Sequence, residues 1–527
     1  MCWSGRLPRN GLISATRTLR WALRPWKGMG DTLTGWAGSG SVMGMRGVLC
    51  VGFFLSWVLW GAWANARGEG VRHRLLEGSV FIDDCPPCGR PIVPLRLRGT
   101  FDLLLDREDP LFRYYRLTNI DWITSTWGEA PIRITGQGSW VVGGEVAWTQ
   151  RVMLDVECWM GTNRIRRHFT NDSPVALRAL PNLGSDLTAV ESTWTQVFRL
   201  SLRSAPFREL WFVTDHGFTP GNVPAGGYHP AGDVLSMDGR VILANTRLTS
   251  RLGLMPIVPP LGVDALKVLP GGRMLFSLRD RQFSEVLGEL PSGALLTSDG
   301  TVYRMPVDLL KPFHPVSSLE DPGLDAVQVL EDGTLLFSTV SDVRTTAGIL
   351  SHGDVLDGRG GVRHGLKSLL AAFDPIWEPG SDPGQVGLDA VHEWPHGEVW
   401  FSVVRGFQSR VVGPVRGGDV LSDRGWIVYR NLELMEGFQP IEDLADFGLG
   451  DFWVLTDGEG PAETVGLRLP VAAEGVELEW SGTGRVWQVE SSVRLEGPYR
   501  PAGPVQVETN WTGKVGAGAE YFRVRAW

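Results

Sequence analysis

The chain has 527 residues, 43% of them hydrophobic, with 67 glycines, 23 tryptophans and a formal net charge of −9. About 460 residues beyond an apolar leader are too many for one core, so three domains are expected. The acidic balance excludes a protein that holds nucleic acid through backbone phosphates, which needs a basic face.

The leader comes first. Arg46 precedes an uncharged run, Val48–Trp63, in which Ser56 is the one polar side chain, and Ala64-Asn65-Ala66 follows. A basic start, an apolar stretch and an A-x-A site form a signal peptide over residues 45–66. The run is short for a membrane span of roughly 20 apolar residues. The leader as a whole is residues 1–66, and Met43 or Met45 is read as the true start. Cleavage removes 7 of the 50 basic and 1 of the 59 acidic residues, leaving a net charge near −15. A secreted, periplasmic or cell-surface location follows, with no transmembrane anchor after processing.

Residues 67–190 read as an N-terminal β-sandwich or barrel. Its alternating runs include PIVPLRLRG, TFDLLLD, APIRITGQG, SWVVGG and WTQRVMLDVECWM, most of them separated by turn residues. Cys85-Pro86-Pro87-Cys88 lies in a Pro-rich loop of this region. A CxxC of this kind is a local disulfide, half of a structural zinc site, or a redox pair. No second CxxC is present to complete a zinc site, and a redox pair would open a helix in a βαβ unit. Cys158 makes the cysteine count odd after processing. Trp122, Trp127, Trp140 and Trp148 are many aromatics for a small domain, and they are candidates for a ligand-stacking platform as well as for core.

From residue 195 to 460 the chain repeats. GVDALKVLPGGRMLFS, GLDAVQVLEDGTLLFS and GLDAVHEWPHGEVWFS place Asp264, Asp325 and Asp389 61 and then 64 residues apart. A second unit, GDVLSMDGRV, GALLTSDGTV, GDVLDGRGGV and GDVLSDRGWI, alternates with the first. Degenerate copies of the first hairpin are read at Val197–Asp215 and Asp443–Asp457. Two hairpins per repeat form a four-stranded meander of blade size, so the region reads as β-propeller-like with four to five blades. Pairing between the two ends of the region would close the ring. One short helix is expected near Leu366–Phe373.

Residues 465–527 read as a small C-terminal β-sandwich, with VELEWSG, RVWQVESS and YFRVRAW as strands. The whole is all-β.

The DA[LV]…DG…LLFS…GDVL unit resembles repeats of uncharacterised secreted bacterial proteins with propeller-like folds. The tail, LEWSGTGRVWQVESSVRLEGPYRPAGP…AEYFRVRAW, is similar to fibronectin-III-like modules that end many exported proteins of verrucomicrobial and planctomycete bacteria. The resemblance implies an exported, modular, all-β protein and carries no catalytic residue with it.

Two functional readings stand side by side. The first is an exported, non-enzymatic binding or scaffold protein whose partner is a glycan or a cell-envelope protein. The second is a metal-dependent, lactonase-like hydrolase with carboxylates at the propeller channel. If Asp264, Asp325 and Asp389 each open an innermost strand, they ring one mouth of that channel and offer the oxygen cluster that calcium prefers. The alternative is that residues repeated in every blade serve the blade, an aspartate before a strand accepting backbone N–H bonds. Asp233, Asp354 and Asp419 of the second unit recur in the same way, with Ala294 in the remaining copy. His392 and His396 have the spacing of helical zinc ligands, but Pro395 puts them on a turn. The long loop after Asp215-His216 is a further place to bind something.

Overall fold

Alternation without helical periodicity produces sheets. The computed structural model describes residues 70–527 apart from positions 90, 126–129, 172, 177–182, 223–226, 256–260, 318–320, 378–385, 444–446, 458–464, 469–475, 495–498 and 514–520. The expected signal peptide and Trp127 lie outside the described residues. The protein is all-β.

The first sheet is built from β1 (Val71–Leu75), β2 (Val80–Asp84), β3 (Leu95–Glu108), β4 (Phe112–Thr124), β5 (Ile132–Gly143), β6 (Thr149–Met160), β7 (Asn163–Thr170), β8 (Val175–Ala176), β9 (Leu183–Ala189) and β10 (Val197–Ala205). Strands β3 to β7 pair in succession, β7 pairs with β9, and β9 with β10. Strands β1 and β2 each pair with both β10 and β3. In β6 the residues Gln150, Val152, Leu154, Val156 and Cys158 are buried while the residues between them are more exposed, the period-2 pattern of a sheet with one face on a core.

Trp122 and Trp140 belong to that core, 0% and 1% exposed. Trp140 donates to Gln150 Oε1 at 3.1 Å. Of the proposed platform only Trp148, 44% exposed, faces solvent among the described residues. The sequence breaks placed at Gly99 and before Ser139 are not breaks: β3 and β5 run through them. Gly99 sits at φ 133°, where a Cβ would meet the Asp121 carbonyl oxygen at 2.1 Å, so glycine here bends a long strand instead of ending it.

Four further sheets have four strands each. From the inner edge outwards they are Leu449–Leu455, Glu209–Thr214, Val234–Ser236 and Arg240–Leu243; Val263–Leu269, Arg273–Leu278, Leu295–Thr297 and Val302–Arg304; Ala326–Val329, Leu335–Ser338, Val355–Asp357 and Gly361–His364; and Ala390–Glu393, Val399–Ser402, Val420–Ser422 and Trp426–Tyr429. Each packs on the next. Trp211 and Trp453 of the first meet Leu266 and Phe276 of the second; Ala265 and Leu275 meet Val327 and Phe337 of the third. Leu336 and Val355 meet Val391 and Phe401 of the fourth, and Trp400 and Val420 meet Phe212 and Phe452 of the first. The arrangement is propeller-like. Burying each such Leu, Val or Phe contributes roughly 1.5–3 kcal/mol.

The expected end hairpins are not hairpins. Val197–Ala205 belongs to the first sheet as β10, whereas Glu209–Thr214 pairs with Leu449–Leu455 from the other end of the repeat region. The two ends of the region are therefore joined by a shared sheet, as the closure argument expected. The helix expected near Leu366–Phe373 is Leu366–Leu370 with a 3-10 turn Ala371–Phe373. Helices Asn245–Thr249, Pro306–Leu310 and Asn431–Leu434 occupy the equivalent places.

The C-terminal strands form two antiparallel three-stranded sheets, Val465–Arg468 with Val476–Gly482 and Asn510–Gly513, and Arg500–Pro501 with Trp487–Ser492 and Tyr521–Ala526. Leu478, Trp480, Trp487 and Val489 lie in their core. Asp457 ties these parts together: it accepts from the Arg72 backbone N–H at 2.7 Å, from Arg208, from Arg525 at 3.2 Å and from Trp527 Nε1 at 3.1 Å. Burial pulls its carboxyl up, but Arg208 and Arg525 outweigh that and hold it below the ordinary value.

Candidate acidic mouth of the four-sheet ring

The innermost strand of each sheet has one edge without a neighbour, and the four inner strands contact one another around the ring. Asp264 occupies a register irregularity between Val263 and Ala265, and such a bulge re-aims a side chain away from the sheet face. The structure brings Asp264, Asp325 and Asp389 together, as the sequence expected, on one cavity of about 680 Å³. Asp215, Arg279, Val340, Val404 and Gly450 line it too.

The cavity is a repeat property. Ala265, Ala326 and Ala390 pair with Ser277, Ser338 and Ser402, and Asp451 pairs with Val213 at the same place. Gly450 therefore stands where the other inner strands carry Asp264, Asp325 and Asp389. A Cβ at Gly450 would meet the Val263 carbonyl oxygen at 2.4 Å, so no aspartate fits there. Two residues beyond Val213, Ser277, Ser338 and Ser402, the chain leaving the neighbouring strands supplies Asp215, Arg279, Val340 and Val404 to the same mouth.

Arg279 spans the first and second sheets. It donates to Asp264 Oδ1 at 2.9 Å, to Asp215 Oδ1 at 2.7 Å and to the Asp215 carbonyl at 2.7 Å. Asp264 is still pushed up to about 6, because burial and the Asp215 charge outweigh the help from Arg279. Burial raises Asp325 well above the ordinary value, with the Asp264 and Asp215 charges adding to it. Asp389 is raised in the same way by burial and then by Asp215, Asp325 and Asp264. Its Oδ2 is enclosed and has no hydrogen-bond partner among the described residues. Asp215, Asp264, Asp321, Asp325 and Asp389 thus line the cavity with Arg279 and Arg405, and burial disfavours the charge of Asp264, Asp325 and Asp389.

Asp451 closes the floor. Fully buried, it accepts from the Leu266 N–H at 2.8 Å and the Val327 N–H at 3.2 Å, and so bonds the free edges of two neighbouring inner strands. Sequence reasoning passed over Asp451 and Arg279, and singled out Asp215 only as the start of a long loop. The signal for Asp451 was present: GLGDFWVL aligns with GLDAVQVL, the carboxylate displaced by one position.

The second aspartate series does something else. Asp233, Asp354 and Asp419 accept from the backbone N–H of Asn245, Leu366 and Asn431 at 2.7, 3.0 and 2.9 Å. Each holds the first turn of the short helix twelve residues on. The cap role weighed for both series is thus found in this one, and no such bond is formed by the Asp325 or Asp389 carboxylates among the described residues.

Cys85 and Cys88 are joined to each other by a disulfide. Cys158 is buried in the first sheet's core, and burial pushes its thiol up to about 11. His392 lies within Ala390–Glu393, buried against Trp394, while His396 sits on the turn with Glu398 at 3.3 Å. Among the described residues no three His, Cys, Asp or Glu side chains are gathered closely enough to hold a metal ion. No described helix is long and apolar enough to cross a membrane.

No protein-family model and no curated protein matches the chain. Among solved structures, it is similar to the extracellular domain of a hybrid two-component system of B. thetaiotaomicron (7% identity, 81% of this chain and 84% of that chain, TM-score 0.18). A second extracellular domain of a two-component system from the same organism has 8% identity over 86% of this chain and 82% of that one, with a TM-score of 0.16. At these TM-scores the likeness says nothing about activity.

Proposed function

We propose that this is an exported binding protein whose ligand enters the acidic mouth of the four-sheet ring. The first-sheet unit (67–190 in the sequence reading) and the fibronectin-III-like C-terminal module (465–527) would be the spacing or adhesion parts around it. The observation that carries the reading is a cavity lined by five aspartates, one of which, Asp389, has an enclosed oxygen with nothing to accept from. Buried polar groups are normally satisfied, and an exception at a cavity wall is where a ligand donor fits.

A metal-dependent hydrolase is the second reading. The raised carboxyls favour it in one respect, since a calcium ion would restore their charge. His216, His352, Ser292 and Ser341 also line the cavity, but among the described residues no three His, Cys, Asp or Glu side chains are gathered closely enough to hold the metal it needs.

A thermal-shift panel of glycans, peptides, amines and calcium chloride on residues 67–527 tests both. The binding reading expects at least one compound to raise the melting temperature by about 2 °C or more at saturation, and the Asp325→Asn/Asp389→Asn double variant to lose that response. Silence across the panel, or a response the double variant keeps, removes the mouth as the site. Calcium alone shifting the wild type would move the reading to the hydrolase.

A further inference from the structure

The four sheets fill the mouth unequally. Between the first and second, Arg279 bridges Asp215 and Asp264. On the third and fourth the same positions are Val340 and Val404, and neither Asp325 nor Asp389 forms an ion pair among the described residues. Asp389 is 5% exposed, its Oδ2 accepts no hydrogen bond, and it lines the cavity. One half of the mouth is therefore bridged by Arg279; in the other, Asp325 and Asp389 form no ion pair among the described residues and share the wall with Val340, Val404, Arg405 and His352.

We propose that this second half takes a primary ammonium group at the end of an aliphatic chain, held between Asp325 and Asp389 with its first methylenes against Val340 and Val404. This rests on reading the cavity as a ligand site. An ammonium carries three donors on one atom and reaches two carboxylates without further ligands. Calcium takes six to eight oxygens, and the described residues gather no metal-sized group. Valine methyls offer nothing to a hydrated ion, whereas a lysine-like stem lies well on them. The ammonium would come from a peptide lysine or from a free aliphatic amine.

Calorimetric titration of residues 67–527 with 1,5-diaminopentane, Nα-acetyl-lysine amide, Nα-acetyl-norleucine amide and calcium chloride decides it. At least one ammonium compound is expected to bind and the norleucine compound is not. Asp389→Asn and Asp325→Asn should each weaken the ammonium compound about tenfold or more, as loss of a charge-assisted bond does. A response confined to the diamine assigns a free amine; one shown by the lysine compound assigns a peptide. Equal binding by norleucine, unchanged affinity in both variants, or silence of both amines overturns the proposal. If calcium, or a compound from the thermal-shift panel, instead binds and Asp389→Asn abolishes it, the ammonium assignment falls while the cavity reading survives. If nothing binds in either experiment, both fall.

Discussion

Position 294 is where the second repeat unit lacks its aspartate, and the reason stands twelve residues downstream. Asp233, Asp354 and Asp419 each accept from the backbone N–H at that offset. At the same offset from Ala294 the chain has Pro306, the first residue of Pro306–Leu310, which has no N–H to satisfy. The two substitutions make one unit. Pro306→Leu alone should expose an unpaired donor and destabilise by about 1 kcal/mol, as loss of a cap does. Ala294→Asp added to it should recover most of that loss in urea unfolding. A double variant no more stable than the single one would show that the Asp–N–H bond is not what the series is for. Asp264, Asp325 and Asp389 have the same period but a different task, and the difference lies in where the backbone points them.

The element that closes the ring is Leu449–Leu455. It pairs with Glu209–Thr214, and its Asp451 bonds Leu266 and Val327 across two neighbouring inner strands. Asp451→Ala leaves two buried N–H groups without acceptors, an expected loss of about 2–4 kcal/mol at roughly 1–2 each. Asp451→Asn, which keeps an acceptor oxygen, should lose less. Urea unfolding within about 0.5 kcal/mol of wild type for the alanine variant would sink this role. The repeat was legible because strand–turn–strand units carry their own alternation, and the 61- and 64-residue steps marked three of the inner strands. The partners were not legible. Alternation shows that Val197–Ala205 and Glu209–Thr214 are strands, but the short Phe207 turn between them looks like a hairpin when in fact it passes the chain from one sheet to another. Gly99 and Gly138 read as stops for a similar reason: a glycine that ends a strand and one that lies within it are the same letter. The mouth was half legible. Its three repeated aspartates stand out by period, whereas Asp215 and Arg279 occupy a repeat position that the other two sheets fill with Val340 and Val404.

At the scale of the molecule, several carboxyl groups are buried above their ordinary values. Burial raises Asp264, Asp325 and Asp389 at the mouth. Glu433, facing Arg96, Arg98 and Glu77, is pushed up to about 7, mainly by burial. The sign follows from linkage. Each of these groups keeps its proton in the folded state after the unfolded chain has released it near pH 4, so its contribution to stability is largest below pH 4 and falls as pH rises through the folded value. Asp457 works the other way: its lowered carboxyl contributes stability above pH 4 and loses it on acidification. The mouth is therefore a place where buried carboxyl groups cost the fold stability as pH rises. The direct measurement is thermal unfolding of ligand-free residues 67–527, wild type against Asp389→Asn, at pH 4.5 and pH 8. Asp215, Asp264, Asp325 and Arg279 act on the charge of Asp389, and Asp321, His352 and Arg405 line the same cavity. The expected result is a variant more stable than wild type at pH 8, by about 1 kcal/mol or more, and a smaller difference at pH 4.5. A variant less stable at both pH values, by about the 1 kcal/mol of a lost cap, would show that Asp389 serves the fold and not a ligand.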